Sequence, residues 1–275
     1  MSIAENIKKV LNELPQGVQL VAVSKFHPNE AIEEAYSAGQ RVFGESKVQE
    51  MTAKYESLPK DIEWHFIGHL QTNKIKYIIP YVALIHGVDS YKLLTEINKQ
   101  AAKAERTVNC LLQLHIAQEE TKFGFSFDEC REMLAANEWK QFKNIRICGL
   151  MGMATNTDNT EQIKAEFCSL SSFFQEVKAT WFADAEWFRE LSMGMSHDYH
   201  EAIAAGSTLV RVGSKIFGVM ASRKEIQSLS FDLDTVSFEM RDYPVSWHRR
   251  FVQCCIYWTI RTVIKCRVKF GKFPL

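Results

Sequence analysis

The apolar run in "LVAVSKFHP", Leu20 to Pro28, ends on a serine and a lysine before a proline breaks the pattern. A lysine at that place has two readings. Lys25 is either a side chain snorkelling from the rim of the fold into water, or an amine aimed into a pocket, where it can condense with a carbonyl. A second group of residues lies far along the chain in "SMGMSHDYHEAIAAGSTLVRVGSKIFG", Ser192 to Gly218. Here "GMS" (Gly194, Met195, Ser196) precedes a helical pattern, and "RVGS" (Arg211 to Ser214) closes an apolar run just before a helical turn. Small residues, hydroxyls and unpaired backbone N–H groups at a helix start make an anion site, a phosphate site in particular. Taken singly, glycine, serine and threonine at the ends of a strand are also ordinary turn chemistry.

The elements that must position these residues alternate along the chain. After an amphipathic first helix, "MSIAENIKKVLNEL", the apolar runs "VQLVAVS", "RVFGE", "IEWHFIG", "VALIHGV", "TVNCLLQLHI", "IRICGLMGM", "RELSMG" and "STLVRVG" read as strands. The stretches between and after them read as helices or helical turns, with Pro28 near the start of the first and Gly39 at its end. Asp89 or Ser90 is expected to cap the helix that opens "DSYKLL", and Ser46 or Glu45 to lie near the start of "SKVQEMTAKYESL". Eight strand–helix units imply parallel pairing and a closed (β/α)₈ TIM barrel. The rival is an open doubly wound sheet. No G-x-G-x-x-G or P-loop opens any of the helices, which weakens a dinucleotide or ATP reading.

The barrel reading makes the two residue groups neighbours. Chemistry in such a barrel sits at the C-terminal ends of the strands, phosphate often binds after strands seven and eight, and strand eight closes on strand one. A lysine beside a phosphate cup suits an aldehyde that carries a phosphate. Pyridoxal 5′-phosphate (PLP), held as an imine on Lys25, satisfies both halves.

Composition bounds the remaining options. The 275 residues are 46% hydrophobic and 24% charged, with zero formal net charge, so nothing favours a nucleic-acid partner. From Tyr243 onward there are seven Lys/Arg and no Asp/Glu, which leaves 26 basic against 33 acidic residues before it. The seven cysteines show no C-x-x-C spacing, so a disulfide framework or zinc site is not expected and a reducing, cytoplasmic setting is. The first residues do not read as a signal peptide. The run "FVQCCIYWTIRTVI" is too short and interrupted to span a bilayer.

The chain resembles the pyridoxal phosphate homeostasis protein family, PLP-binding proteins related to the N-terminal barrel of alanine racemase. The resemblance rests on "AVSKFHP", "GQRVFGESKVQE", "EWHFIGHLQTNK", "GLMGM" and "LSMGMSHDYHEAIAAGSTLVRVGSKIFG", in that order, and covers the chain to about residue 218. It implies a PLP barrel of fold type III, without the β-rich second domain of alanine racemase, and with the cofactor on Lys25. It also implies a cofactor-binding set of Lys25, Ser46, His65, Met195, Ser196, Arg211, Gly213 and Ser214. Ser196 and the backbone at Gly213 and Ser214 would take the phosphate. Arg211 would face the pyridine nitrogen and, as a pure donor, would keep it unprotonated and make the cofactor a weaker electron sink. Ser46 departs from the asparagine common in the family and would reach the cofactor through water. His65 is expected to be a hydrogen-bonded wall rather than a base.

The resemblance leaves carrier and enzyme open. A carrier would buffer PLP in the cytoplasm and pass it to apo PLP-dependent enzymes without robust turnover. An enzyme would be a weak amino-acid racemase or another PLP-dependent activity, and a non-PLP alternative is a sugar-phosphate lyase or aldolase using Lys25. One half of a two-base racemase mechanism is not expected here, since no racemase-like second domain follows Gly218. A monomer is expected. The organisation anticipated is a barrel over residues 1–220 and a basic extension over 221–275, disordered or loosely docked, with an artefact such as a shifted reading frame as a further reading.

Overall fold

Each of the eight apolar runs forms a strand, and the strands close on themselves in sequence order. The structure is a computed structural model that describes residues 2–119 and 123–218. The strands are β1 (Gln19–Val23), β2 (Val42–Glu45), β3 (Glu63–Phe66), β4 (Leu84–Val88), β5 (Val108–Leu114), β6 (Ile145–Gly152), β7 (Glu190–Met195) and β8 (Leu209–Val212). All neighbours pair in parallel, and β8 pairs with β1 in the register Val21↔Arg211 and Ala22↔Val212. This is the closed (β/α)₈ barrel, and the open doubly wound alternative is excluded by the β1–β8 ladder.

The helices are α1 (Ile3–Glu13), α2 (Asn29–Ser37), α3 (Val48–Ser57), α4 (Ile75–Ile78), α5 (Tyr91–Lys103), α6 (Phe127–Ala135), α7 (Thr160–Trp181), α8 (Tyr199–Ala204) and α9 (Ser214–Phe217). Four of them start on side-chain caps. Ser2 and Ser126 form reciprocal capping boxes with Glu5 and Glu129, and Ser90 and Asn159 cap α5 and α7. Ser46 and Glu45 lie just before the start of α3, as expected, and its N-cap is Lys47, with no side-chain cap. One expectation is corrected. The helix expected over "QTNKIKYII" is a 3₁₀ turn, Thr72–Lys74, leading into the single turn α4. A tight 3₁₀ turn, Glu138–Gln141, follows α6. The basic extension lies outside the described residues.

Strand alternation sorts the side chains into two cores. Leu20, Ala22, Phe43, Trp64, Ile85, Leu112, Leu150, Leu191, Val210 and Val212 face the helices. Val21, Val42, Leu84, Leu111, Cys148, Met151 and Leu209 fill the barrel itself. A shift of one residue in any strand would exchange the two sets. Helix α1 is drawn onto the closing end of the barrel: Asn6 Nδ2 donates to the Ile216 carbonyl at 2.9 Å, and the buried Tyr199 donates its hydroxyl to Glu13.

Gly149 marks the tightest approach within the ladder. A Cβ there would stand 1.7 Å from the Glu190 carbonyl oxygen of β7. Backbone atoms held by a barrel ladder cannot give way to it. A Gly149→Ala variant is therefore expected to lose about 3 kcal/mol or more, lowering the melting temperature by roughly 6–12 °C, as read by circular dichroism.

Candidate functional site

The inward positions of the strands run from apolar to polar towards the C-terminal mouth. Above the apolar layer sit His65, His86, Ser192 and Arg211, all buried. They form one chain of hydrogen bonds. Arg211 donates from Nη1 to Ser192 Oγ at 2.5 Å and from Nη2 to the Gly152 carbonyl at 3.1 Å. Ser192 Oγ lies 2.9 Å from His86 Nδ1, and His86 Nε2 lies 3.0 Å from His65 Nδ1. Arginine can only donate, so Ser192 accepts from it and gives its own proton to His86 Nδ1. His86 then carries its proton on Nε2 and donates to His65. Burial pushes His65 down to about 3 and His86 well below the ordinary histidine value, the latter helped by the nearby Arg211 charge. Both rings are therefore neutral at physiological pH. Burial also pushes Arg211 down to about 10, against the pull of Asp198, so the guanidinium stays charged.

At the mouth, β1 ends in a tight turn. The Ser24 carbonyl accepts from His27 N–H at 3.0 Å, which places Lys25 and Phe26 in the middle of the turn, with Phe26 at φ +67°. Lys25 is exposed and enters no hydrogen bond or ion pair among the described residues. It stands two residues beyond Val23, and the alternation that puts Val21 inside the barrel continues through Val23.

The residues expected from the sequence to take a phosphate follow β7 and β8 and come into contact there. Gly213 donates its backbone N–H to Ser196 Oγ at 3.1 Å. A Cβ at Gly213 would lie 3.1 Å from the Val23 carbonyl, so the glycine lets the cup sit hard against β1. Ser214 and Lys215 open α9, and their N–H groups have no acceptor inside that helix. Met195 is half-buried at the end of β7, where its backbone N–H donates to the buried Asp198 carboxylate. Ser46, two residues past the inward Gly44, carries a buried hydroxyl with no partner.

Of the eight residues anticipated from the sequence, His65 and Arg211 lie on inward positions of β3 and β8, Met195 ends β7, and the others stand just past the ends of β1, β2, β7 and β8. The structure directly links Ser196 with Gly213, and Arg211 with His65 through Ser192 and His86. A pyridine ring carrying a phosphate and an aldehyde fits this donor set: an open cup for the anion, a fixed guanidinium, an unsatisfied hydroxyl and an amine on one rim. Sequence reasoning missed Ser192 and His86. Both stand on the inward alternation of "RELSMG" and "VALIHGV", a signal that was present but was read only for strand type.

The neutral histidines make stability depend on pH. A histidine whose folded pKa is depressed binds fewer protons folded than unfolded, so stability is present at high pH and lost as pH falls below the unfolded value of about 6.5. For His65 the loss between pH 7 and pH 5 is about 2 kcal/mol. Thermal melts should show a lower melting temperature at pH 5 than at pH 7. A His65→Asn variant, which keeps a hydrogen-bonding group near Nδ1, should have a shallower slope.

The alanine racemase N-terminal domain family model matches residues 1–221. The pyridoxal phosphate homeostasis protein of Aquifex aeolicus is 37% identical over 220 residues, covering 78% of this chain and 94% of the relative. That of Schizosaccharomyces pombe is 38% identical over 213 residues, covering 76% and 87%. PipY of Synechococcus elongatus, solved with PLP bound, superposes with a TM-score of 0.71 at 37% identity, over 79% of this chain and all of that one. Alanine racemase of Clostridium difficile shares the fold at 12% identity, with a TM-score of 0.63, over 81% of this chain and 57% of that one. The barrel, the mouth residues and these likenesses together place the chain in the pyridoxal phosphate homeostasis protein family, built on the alanine racemase N-terminal domain.

Proposed function

We propose that this protein binds PLP at the barrel mouth and serves intracellular PLP homeostasis in the cytoplasm, holding the cofactor and delivering it to apo PLP-dependent enzymes. The observation that supports this most is the contact of Gly213 N–H with Ser196 Oγ, with Gly213 packed on Val23. It brings the Ser196 hydroxyl and the start of α9 beside the strand that leads into the Lys25 turn, which supports a phosphate site there. PipY, a relative of 37% identity, was solved with PLP bound.

When bound, PLP supplies an aldehyde that a primary amine can capture reversibly as an imine, with release of water. Lys25 is that amine. The N–H groups of Gly213 and Ser214 and the Ser196 hydroxyl take the phosphate. Arg211 is held by Ser192 and Gly152, so it presents a charged donor to the ring nitrogen and cannot accept its proton. That setting binds the ring without drawing electrons into it. His65 forms a neutral wall, and Ser46 offers its free hydroxyl. The arrangement favours storage over turnover.

Borohydride treatment of the PLP-loaded protein should place a pyridoxyl group on Lys25, located by peptide mass mapping. Label on another lysine, or on none, removes the assignment. Lys25→Ala should abolish the visible absorbance band of the bound cofactor. Replacing Arg211 should weaken retention at least ~10-fold or shift the band. Cofactor transfer to an apo-enzyme without alanine racemisation supports the carrier, whereas racemisation that disappears in Lys25→Ala supports the enzyme. Light scattering should give the monomer mass of 31.7 kDa.

A further inference from the structure

Behind the lysine turn, on the outer face of the sheet, lies an ionic cluster that the cofactor site does not use. Glu45 ends β2 and is fully buried, and Lys54, in the middle of α3, is nearly so. Lys54 Nζ makes three contacts: Glu45 Oε1 at 2.7 Å, Glu50 Oε1 at 2.8 Å and the Ser24 carbonyl at 2.8 Å. An ammonium has three protons, and each has an acceptor. Glu45 also accepts from the Ser24 hydroxyl at 2.6 Å, and Glu50 accepts from the Phe26 N–H.

These contacts converge on the two residues that flank Lys25. Ser24 is held by its carbonyl and by its hydroxyl, and Phe26 is held by its N–H. Lys25 itself is left untouched. Phe26 also sits at φ +67°, at a turn position where glycine or asparagine is usual. A bulky residue in that conformation persists only where its surroundings over-determine it, and the Glu50 carboxylate supplies such a constraint. A buried ion pair is in general weak evidence for stability, and its best-attested use is to specify one conformation. Here the pair terminates on the backbone of a turn, not on another side chain.

We infer that Lys54, through Glu45 and Glu50, is a positioning residue for Lys25: it clamps the Ser24–Phe26 turn from behind, so that the amine projects towards the phosphate cup in one geometry. The inference rests on the reading of Lys25 as the PLP lysine. Lys54 does not touch the cofactor; its effect passes through the turn. It makes an interior lysine of α3 a determinant of how fast and how tightly PLP is captured.

Two measurements on the full chain test it. Hydrogen exchange in the cofactor-free protein reports on the turn, and absorbance titration with PLP reports on capture. Glu50→Ala, which leaves the buried Glu45–Lys54 contact in place, should speed exchange of the Phe26 amide and weaken PLP affinity at least ~10-fold. Glu50→Gln keeps the acceptor and should recover most of that loss. Lys54→Met should weaken capture at least as much as Glu50→Ala. Should it fail to fold, the Glu50 pair carries the test alone. PLP affinity, imine formation rate and band position within twofold of the parent in Glu50→Ala would overturn the inference while leaving Lys25 as the binding lysine. Absence of borohydride label on Lys25 in the parent protein would overturn the underlying reading itself, and the positioning role with it.

Discussion

The closure of β8 onto β1 is the constraint on which the site depends. Residues about 190 positions apart in sequence become ladder neighbours, with Val21 opposite Arg211 and Ala22 opposite Val212. The pairing brings the ends of both strands to the same rim. Gly213 can then rest on the Val23 backbone, and the lysine turn that follows Val23 stands next to the donors contributed by β7 and β8. An open sheet with the same strands would leave the amine and the cup at opposite edges.

Inside the barrel, the cost of polarity is kept low by joining the buried polar side chains in one chain of hydrogen bonds. Buried charged groups are costly unless paired, and the histidines meet this by remaining neutral. The one charge retained, on Arg211, is spread over two acceptors, one of them a backbone carbonyl. At the mouth, the buried Ser46 hydroxyl has no protein partner.

Much of this was legible in the residues. The eight alternating units implied the barrel, because a buried parallel strand reads as a continuous apolar run and its helices read with a different period. Lys25 and the "RVGS" run stand out as candidates from where they lie relative to strand ends, and Arg211 from the family resemblance. The relay partners do not, since Ser192 and His86 reach Arg211 across the barrel interior, and no local spacing encodes a contact 106 residues long. Lys54 was hidden for a related reason. A lysine in a polar-looking helix resembles a solvated one, and only the three-dimensional path of β1 and β2 shows that its ammonium is interior.

The attachment of α1 carries a consequence for the order of events during synthesis. Its Asn6 and Glu13 bond to Ile216 and Tyr199, and β1 has no partner on one edge until β8 exists. The first elements to leave the ribosome therefore wait for almost the last of those described before their contacts are complete. Such sequence-distant closure slows folding and exposes unpaired strand edges meanwhile. A nascent chain halted before residue 209 would hold the lysine but none of the β8 side of its cradle.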